Sequence, residues 1–171
     1  MPSTPEATIR VQWDRLGGSA LGRKLFSLLL GRMVPYTGSI AARVEELGAG
    51  HAVVSLRDRR AVRNHLRSVH AVALLNLAEV TGGLALNYAL PSDARAILKA
   101  LSMEYHKKAR GELTATCNTS PPETNEEREC ELETEIRDAE GEVVATSIAR
   151  WKVGPRTPPA GEESGSESGS G

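Results

Sequence analysis

The sequence predicts an α+β fold in which a curved antiparallel sheet wraps around one long central helix, with an extra helix near the N-terminus. Residues 69–90 form an apolar run of helical length that contains a single carboxylate, Glu79. Segments before and after this run alternate apolar and polar residues with a period of two, which is typical of strands. A helix that is apolar on most sides must be covered on several sides, and a strongly curved sheet does this within one domain.

The elements before the central helix are an amphipathic helix and a β-hairpin. The helix is predicted over residues 14–33, because leucines recur there at three- and four-residue spacing, and Pro35 ends it. From Gly38 the period changes to two, and two alternating runs separated by Gly48 and Gly50 predict a hairpin. The central helix should then begin after Ser68 as N-cap, run from about residue 69 to about residue 90, and stop at Pro91.

Four strands should follow, over residues 97–107, 113–117, 130–136 and 143–153, with a hairpin turn at residues 138–141. Residues 154–171 consist mainly of Pro, Gly, Ser and Glu without a large apolar residue, so we expect a disordered tail. The sequence therefore predicts an N-terminal extension over residues 1–13, one domain over residues 14–153 that includes the helix 14–33, and a tail over residues 154–171.

Composition excludes several classes of function. The chain has 171 residues, a net charge of −1 and only 4% aromatic residues, which argues against a nucleic-acid-binding surface. Cys117 and Cys130 show no CxxC spacing, which argues against a zinc site or a disulfide scaffold and leaves only a single bridge open. The N-terminus lacks an apolar segment after a basic start, and polar residues interrupt residues 69–90. We therefore expect a cytoplasmic protein without stable membrane insertion.

The residues around the start of the central helix suggest a site. Glu79 lies in an apolar run, where a charged carboxylate is costly to bury unless it is paired or useful. Asn64, His65 and His70 stand just before the helix. An amide, an imidazole, a helix N-terminus and a desolvated carboxylate are the parts of an acyl-transfer or acid/base site. Structural interpretations remain open: Glu79 bonded across a dimer interface, His70 capping the helix, and Asn64 closing a turn.

The segment PYTGSIAARVEELGAGHAVVSLRDRRAVRNHLRSVHAVALLNLAEVTGGLAL, with MEYHKKARGELTA after it, resembles a hotdog-fold family of unknown function related to the PaaI-like acyl-CoA thioesterases. The resemblance covers roughly residues 25–153. PaaI-like enzymes carry an Asn or Gln, a His six residues later and a carboxylate nine residues after that, and Asn64, His70 and Glu79 reproduce both spacings. The resemblance implies that the Ala71 amide binds the thioester oxygen, that Asn64 and His70 orient the substrate or water, and that Glu79 is nucleophile or general base.

The chain departs from the family pattern at three positions near this site. Arg67 replaces a glycine, the family's His-Gly-Gly motif becomes His70-Ala71-Val72, and Gly83 stands where some relatives have a water-holding threonine. These residues would alter the surroundings of the substrate. Arginines in the preceding loop, Arg63 and Arg67 among them, and Lys107 and Lys108 after a strand are candidates for the phosphates of coenzyme A, although solvated basic loops would look the same.

The resulting prediction is an acyl-thioester hydrolase whose substrate is an acyl-CoA or an acyl-carrier thioester. Coenzyme A would enter as part of the substrate, and no other cofactor is expected. The N-terminal helix, with Leu25, Phe26, Leu28 and Leu29, could line or cover an acyl pocket. Two alternatives remain: a dehydratase or hydratase, for which His65 stands fourteen residues before Glu79, and a non-catalytic dimeric acyl-binding protein.

The spacing of His70 and Glu79 predicts a homodimer, or a tetramer. Nine helical steps of about 100° bring the two residues to opposite sides of the helix. One chain therefore cannot easily aim both groups at one substrate, whereas two helices packed across a two-fold axis can. We expect Glu79 to work with Asn64, His70 and Ala71 of the partner chain, and the small Gly83 to allow the helices to approach.

Overall fold

The computed structural model describes residues 5–156, and of Pro5 and Glu6 only the backbone. The helices are α1 (Pro5–Leu16), α2 (Ala20–Met33), the short α3 (Pro35–Gly38) and α4 (Ala71–Asn87). The strands are β1 (Arg43–Gly48), β2 (His51–Leu56), β3 (Ala94–Tyr105), β4 (Leu113–Asn118), β5 (Arg128–Arg137) and β6 (Val143–Pro155). The predicted order of one long apolar helix between a hairpin and four further strands is confirmed.

The six strands form one antiparallel sheet in the order β1-β2-β4-β5-β6-β3. Helix α4 contacts all six of them. Six strands spaced by about 4.8 Å are wider than a helix of about 10 Å diameter, so the sheet must curve for one helix to touch every strand. This is the predicted α+β hotdog arrangement, and it leaves β1 and β3 as the two edges of the sheet.

The core lies between α4 and the concave face of the sheet. Most α4 residues are buried, and Leu77, Ala85 and Leu86 have no exposed surface. The strands contribute their inward-facing residues, such as Leu113, Ala115 and Cys117 of β4, in strict alternation with more exposed ones. Residues 69–90 are therefore mostly apolar because every strand of the sheet packs against α4.

The prediction of one N-terminal helix over residues 14–33 is wrong, because the chain forms two helices there. Gly17 and Gly18 interrupt the helical pattern, and Ser19 caps α2 by accepting from the Gly22 amide at 3.0 Å. A Cβ at Gly22 would lie 1.9 Å from the carbonyl oxygen of Leu16, so this glycine permits the close approach of α1 to α2. Most of the predicted extension over residues 1–13 accordingly belongs to α1.

The ends of several other elements also differ from the prediction: β3 spans Ala94–Tyr105 rather than residues 97–107, and β5 spans Arg128–Arg137 rather than residues 130–136. Helix α4 begins at Ala71 with His70 as N-cap, not Ser68, and ends at Asn87 rather than near residue 90. The first strand begins at residue 43 because residues 35–38 form α3. Strand β6 continues through Pro155, beyond the predicted start of the tail at residue 154. The rest of the predicted tail, residues 157–171, lies outside the described residues.

Two expectations about cysteines and membranes can be compared with the described residues. Cys117 and Cys130 are both free thiols, so the bridge that the sequence left open is not formed. Between residues 5 and 156 no helix has the length and apolar character that crossing a membrane would require.

Candidate active site

Asn64 builds the loop that leads into α4. Its side-chain oxygen accepts from the Leu66 amide at 2.9 Å, from the Ser68 amide at 3.2 Å and from the Ser68 hydroxyl at 3.2 Å. Ser68 is buried, so two of these donors depend on Asn64. The structural interpretation of Asn64 as a turn residue is therefore correct, and Ser68 takes part in this loop instead of capping the helix. The Asn64 Nδ2 atom has no hydrogen-bond acceptor among residues 5–156 and remains available as a donor.

Arg67 occupies a backbone conformation that usually requires glycine. Its φ angle is +56°, and its amide donates to the carbonyl oxygen of Asn64 at 3.2 Å. A residue with a Cβ costs about 1–2 kcal/mol in this left-handed region. The departure from the family pattern thus adds backbone strain next to the site, while the loop conformation itself is kept.

The first turn of α4 presents a free backbone amide beside an imidazole. His70 Nδ1 accepts from the Val72 amide at 3.1 Å, which makes His70 the N-cap and leaves Nε2 as its outward donor when the ring is neutral. Among residues 5–156 the Ala71 amide has no acceptor. Such amides attract negative charge that develops on a bound oxygen. Val72, the next residue of the helix, is exposed.

Tyr105 was not singled out by the sequence. It ends β3, and its hydroxyl donates to the carbonyl oxygen of Ala71 at 3.3 Å, so its ring stands at the N-terminus of α4. The two residues are 34 positions apart. Helix and strand patterns report only local order, and no sequence signal pairs the end of β3 with the start of α4.

Glu79 is the exception to the apolar character of α4. Its side chain is half-buried, and it makes no hydrogen bond or ion pair with any of residues 5–156. Burial raises the pKa of Glu79 above the ordinary glutamate range because desolvation penalises the charged form. A carboxylate that is desolvated but not paired is a poor stabilising element and a suitable proton acceptor.

Gly83 lies one turn after Glu79, over the ring of Trp151 from β6. A Cβ at Gly83 would be 3.6 Å from Cζ2 and Cη2 of that indole, which is ordinary contact distance. The indole Nε1 is buried and has no acceptor within the described part of the chain. The side of Gly83 on which a side chain would stand therefore faces the chain's own tryptophan. No local sequence pattern connects Trp151 with this helix.

The basic residues near the site divide into paired and unpaired groups. Arg63 Nε lies 2.6 Å from Asp58 Oδ1, and this bond is the main reason that the pKa of Asp58 is lowered. Lys107 Nζ lies 2.7 Å from Asp138 Oδ2. Arg67 and Lys108 are exposed and have no ion pair among residues 5–156. The charges of Arg63 and Lys107 are already matched, which leaves Arg67 and Lys108 as the freer candidates for a phosphate.

Within one chain, Asn64, His70 and Ala71 lie in the loop and first turn that begin α4, whereas Glu79 lies in the middle of that helix. Ala71 and Glu79 are separated by eight residues, or about 12 Å along the helix axis. A thioester carbonyl group must contact both the oxyanion donor and the base at about 3 Å. His65, on which the dehydratase alternative depends, is exposed and makes no hydrogen bond within residues 5–156.

The four residues of the N-terminal helix that were predicted to line an acyl pocket lie in different environments. Leu25 and Leu28 line a wide cleft between α2 and the sheet. Phe26 points the other way into the core, where its ring meets Trp13 edge-on at 5.0 Å between centroids. Leu29 is half-buried and does not line the cleft.

Comparison with known proteins agrees with the fold. A family model described as a domain of unknown function, DUF4442, matches residues 22–153. Among solved structures, a structural-genomics protein without a stated function is 26% identical, with a TM-score of 0.76 over 87% of this chain and 99% of its own. No relative is detected among curated proteins.

Two further solved structures have names that state a function. A Pseudomonas aeruginosa protein of unknown function, named a probable thioesterase, is 23% identical with a TM-score of 0.69, over 76% of this chain and 93% of its own. A mutant of the phenylacetic acid degradation protein PaaI from Thermus thermophilus is 21% identical with a TM-score of 0.59, over 69% of this chain and 97% of its own. At these identities the likeness establishes the hotdog fold.

Proposed function

The chain belongs to the DUF4442 family of domains of unknown function, and we propose that it hydrolyses acyl thioesters, with an acyl-CoA as the substrate. The observation that carries this proposal is Glu79, a half-buried carboxylate without a partner among residues 5–156 on an otherwise apolar helix. Thioesterases among the structural neighbours support the reaction class. Coenzyme A enters as part of the substrate, and an acyl-carrier thioester would present the same bond.

The chemistry follows from the groups that α4 presents. The Ala71 amide would donate a hydrogen bond to the thioester oxygen as negative charge develops there, and Asn64 Nδ2 and His70 Nε2 are the further donors that precede α4. Glu79 either removes a proton from an attacking water or attacks the carbonyl carbon itself. In both routes the C–S bond breaks, the thiolate takes up a proton, and water supplies the oxygen of the released carboxylate. The raised pKa of Glu79 makes it a better proton acceptor than an exposed glutamate.

We propose that the active unit is a homodimer with sites shared between chains. Strand β3 has 12 residues, and within residues 5–156 it pairs with β6 alone and lies at the edge of the sheet. Ile97 and Tyr105 on this strand are 46% and 51% exposed. A long edge strand with apolar residues is a surface that proteins cover. Pairing of two β3 strands would place two α4 helices side by side, so that Glu79 of one chain reaches Ala71 of the other.

The distance along α4 supports this sharing. About 12 Å separate Ala71 and Glu79 along one helix, which exceeds the span of a single reacting carbonyl group. Antiparallel neighbours related by a two-fold axis bring the start of one helix to the middle of the other. A tetramer of such dimers would retain the same sites.

The cytoplasm is the proposed location. Two free thiols, one buried in β4 and one half-buried in β5, are compatible with a reducing compartment.

The direct test is thiol release from a panel of acyl-CoA esters. We expect hydrolysis by the wild type and loss of it in Glu79→Gln, because the amide keeps the volume but cannot act as base or nucleophile. Glu131→Gln, at an exposed carboxylate on β5, is the matched control and should hydrolyse normally. Near-native turnover in Glu79→Gln would remove the catalytic assignment.

One observation favours a second candidate, a non-catalytic acyl-binding protein. The Asn64 oxygen accepts hydrogen bonds from its own loop, so only its nitrogen is left for a substrate. This candidate predicts no release of thiol by the wild type in the same panel, together with binding of acyl-CoA in isothermal titration calorimetry.

Complementation tests the shared site. Glu79→Gln, which should be inactive, and Asn64→Asp, which should keep about a tenth of the activity or less, are denatured together and refolded. With random pairing about half of the dimers are mixed, and each holds one intact and one doubly defective site. About a quarter of wild-type activity should therefore return. Mixed dimers that are present by mass spectrometry and remain inactive would contradict sharing of Glu79 and Asn64 between chains.

A further inference from the structure

We propose that the cleft between α2 and the β1–β2 hairpin binds an aliphatic chain that ends in an anionic group, as in a long-chain carboxylate. Binding of such a chain does not require hydrolysis. Its identification as the acyl product of this protein rests on the proposed function.

The first observation is a stripe of exposed leucines on α2. Leu21, Leu25 and Leu28 are 78%, 45% and 55% exposed, and their spacing of four and three residues places them on one face. Phe26 and Leu30, on the opposite face, are buried, and Leu30 also lines the cleft that these leucines border. Three neighbouring exposed leucines on one helix form an apolar patch of the kind that marks a binding surface.

The second observation is that this stripe borders a concave space. The cleft has a volume of about 900 Å³, within the range of about 300–1,000 Å³ typical of ligand sites. Val44, Val54 and Val80 form part of its lining, and all three are core residues. Val80 directly follows Glu79 in α4. A chain in the cleft would therefore reach the helix that carries the proposed base.

One part of the cleft wall is rigid because two glycines cross there. Gly31 of α2 and Gly38 of α3 both line the cleft, and a Cβ at Gly38 would lie 2.3 Å from the carbonyl oxygen of Gly31. The backbones are in direct contact at this point, so the wall is formed without a ligand. A preformed apolar cleft costs less to order on binding than a mobile surface.

The third observation is positive charge around the apolar lining. Lys24, Arg32 and Arg57 line the cleft, and none forms an ion pair with another of residues 5–156. Helix α2 contains no acidic residue. The carboxylate of Glu45, beside the cleft, is already bound by Arg43 at 3.2 Å and by the Ser55 hydroxyl at 2.8 Å. An anionic headgroup would therefore meet unpaired cations, with Glu112 as the opposing acidic lining residue.

The concave shape of the cleft favours a single aliphatic chain over the flat surface of a bilayer as its occupant. The leucines border a cleft whose other lining includes the buried Val44, Val54 and Val80, whereas a bilayer requires an apolar helix face that projects outward. A single chain with a charged end matches an apolar interior and a cationic rim at the same time.

Three ligands of equal chain length test the proposal: laurate, dodecanol and dodecylamine, each competing against the fluorescent probe dansylaminoundecanoic acid. The Glu79→Gln protein is used beside the wild type so that catalysis plays no part. We expect laurate to displace the probe best and dodecylamine least. Leu25→Gln/Leu28→Gln should weaken laurate binding about tenfold or more, because two apolar contacts are lost. Lys24→Gln/Arg32→Gln should weaken laurate several-fold and leave dodecanol unchanged.

Matched controls lie outside the cleft. Leu66→Gln changes a leucine that is 51% exposed in the loop before α4, and Arg60→Gln changes an exposed arginine. Both should bind laurate like the wild type, and circular dichroism melting confirms that each variant is folded. Equal laurate binding by the leucine variant, or equal binding of dodecylamine and laurate, would overturn the proposal.

Two other occupants are separate outcomes that would also overturn it. Conversion of the dimer to a monomer by the leucine changes, seen by light scattering, would indicate that a second copy fills the cleft. Co-flotation with phosphatidylglycerol vesicles without binding of free laurate would indicate a membrane surface. Laurate binding without thioester cleavage would refute the proposed function and keep this site. Cleavage with an unchanged preference for lauroyl-CoA over acetyl-CoA in the leucine variant would refute its role as the acyl site and keep the function.

Discussion

At Asn64 a structural role and a catalytic role can be tested separately, because the side-chain oxygen serves the loop and the side-chain nitrogen is left for a substrate. The oxygen accepts three hydrogen bonds that close the loop before α4, and the nitrogen is left free among the described residues. Asn64→Asp keeps an oxygen in the same place and removes only the amide donor. Asn64→Ala removes both.

The magnitude follows from the hydrogen bonds. A typical net contribution is about 0.5–1.5 kcal/mol for each bond, and the two bonds to buried Ser68 share one oxygen at 3.2 Å. We therefore expect Asn64→Ala to lower the free energy of unfolding by about 2 kcal/mol, or Tm by about 4–8 °C. Asn64→Asp should stay within about 0.5 kcal/mol of the wild type, since the loop acceptor is kept and Arg67 lies nearby.

Chemical denaturation and thiol release are measured on the same preparations. If Asn64 Nδ2 positions the substrate, Asn64→Asp should lose hydrolysis by about tenfold or more while it remains as stable as the wild type. Full activity of Asn64→Asp would refute this reasoning and leave Asn64 as a turn residue alone. An Asn64→Ala variant that is as stable as the wild type would refute the hydrogen-bond assignment.

Two further predictions concern Glu79 and Arg67. Burial raises the pKa of Glu79 in the folded state, so ionisation of this carboxylate lowers the free energy of unfolding. The loss is complete above the folded-state pKa and absent below the unfolded-state pKa of about 4.3. Urea denaturation at equal protein concentrations should therefore show Glu79→Gln more stable than the wild type near pH 7, with a gap that closes as the pH falls toward 4; a gap that does not change with pH would contradict the burial of an unpaired charge. Arg67→Gly should raise the free energy of unfolding by about 0.5–1 kcal/mol, because relief of the positive φ outweighs the added chain entropy. Arg67→Ala, which removes the charge but keeps the strain, is the control and should give no such gain by thermal melting.

The sequence alone determined the fold class and most of the fold. The period of two in the strands and the mostly apolar run of α4 reflect which sides of each element are covered, and this periodicity can be recognised in the order of residues along the chain. The spacing of Asn64, His70 and Glu79 also placed the candidate site at α4. Element ends were less well predicted, because Ser68 and His70 are both capable of capping and only the packing of the loop decides which does so.

Tertiary structure decided what each site residue can do. The sequence could not show that Asn64 uses its oxygen for the loop, that Arg63 is bound to Asp58, or that Tyr105 and Trp151 stand beside α4. These contacts join residues from separate elements, and their geometry depends on how the sheet curves around the helix. The cleft beside α2 has the same origin. Leucine spacing reveals an apolar face on that helix, but only the placement of α2 against β1 determines which leucines are buried and which border an open cavity.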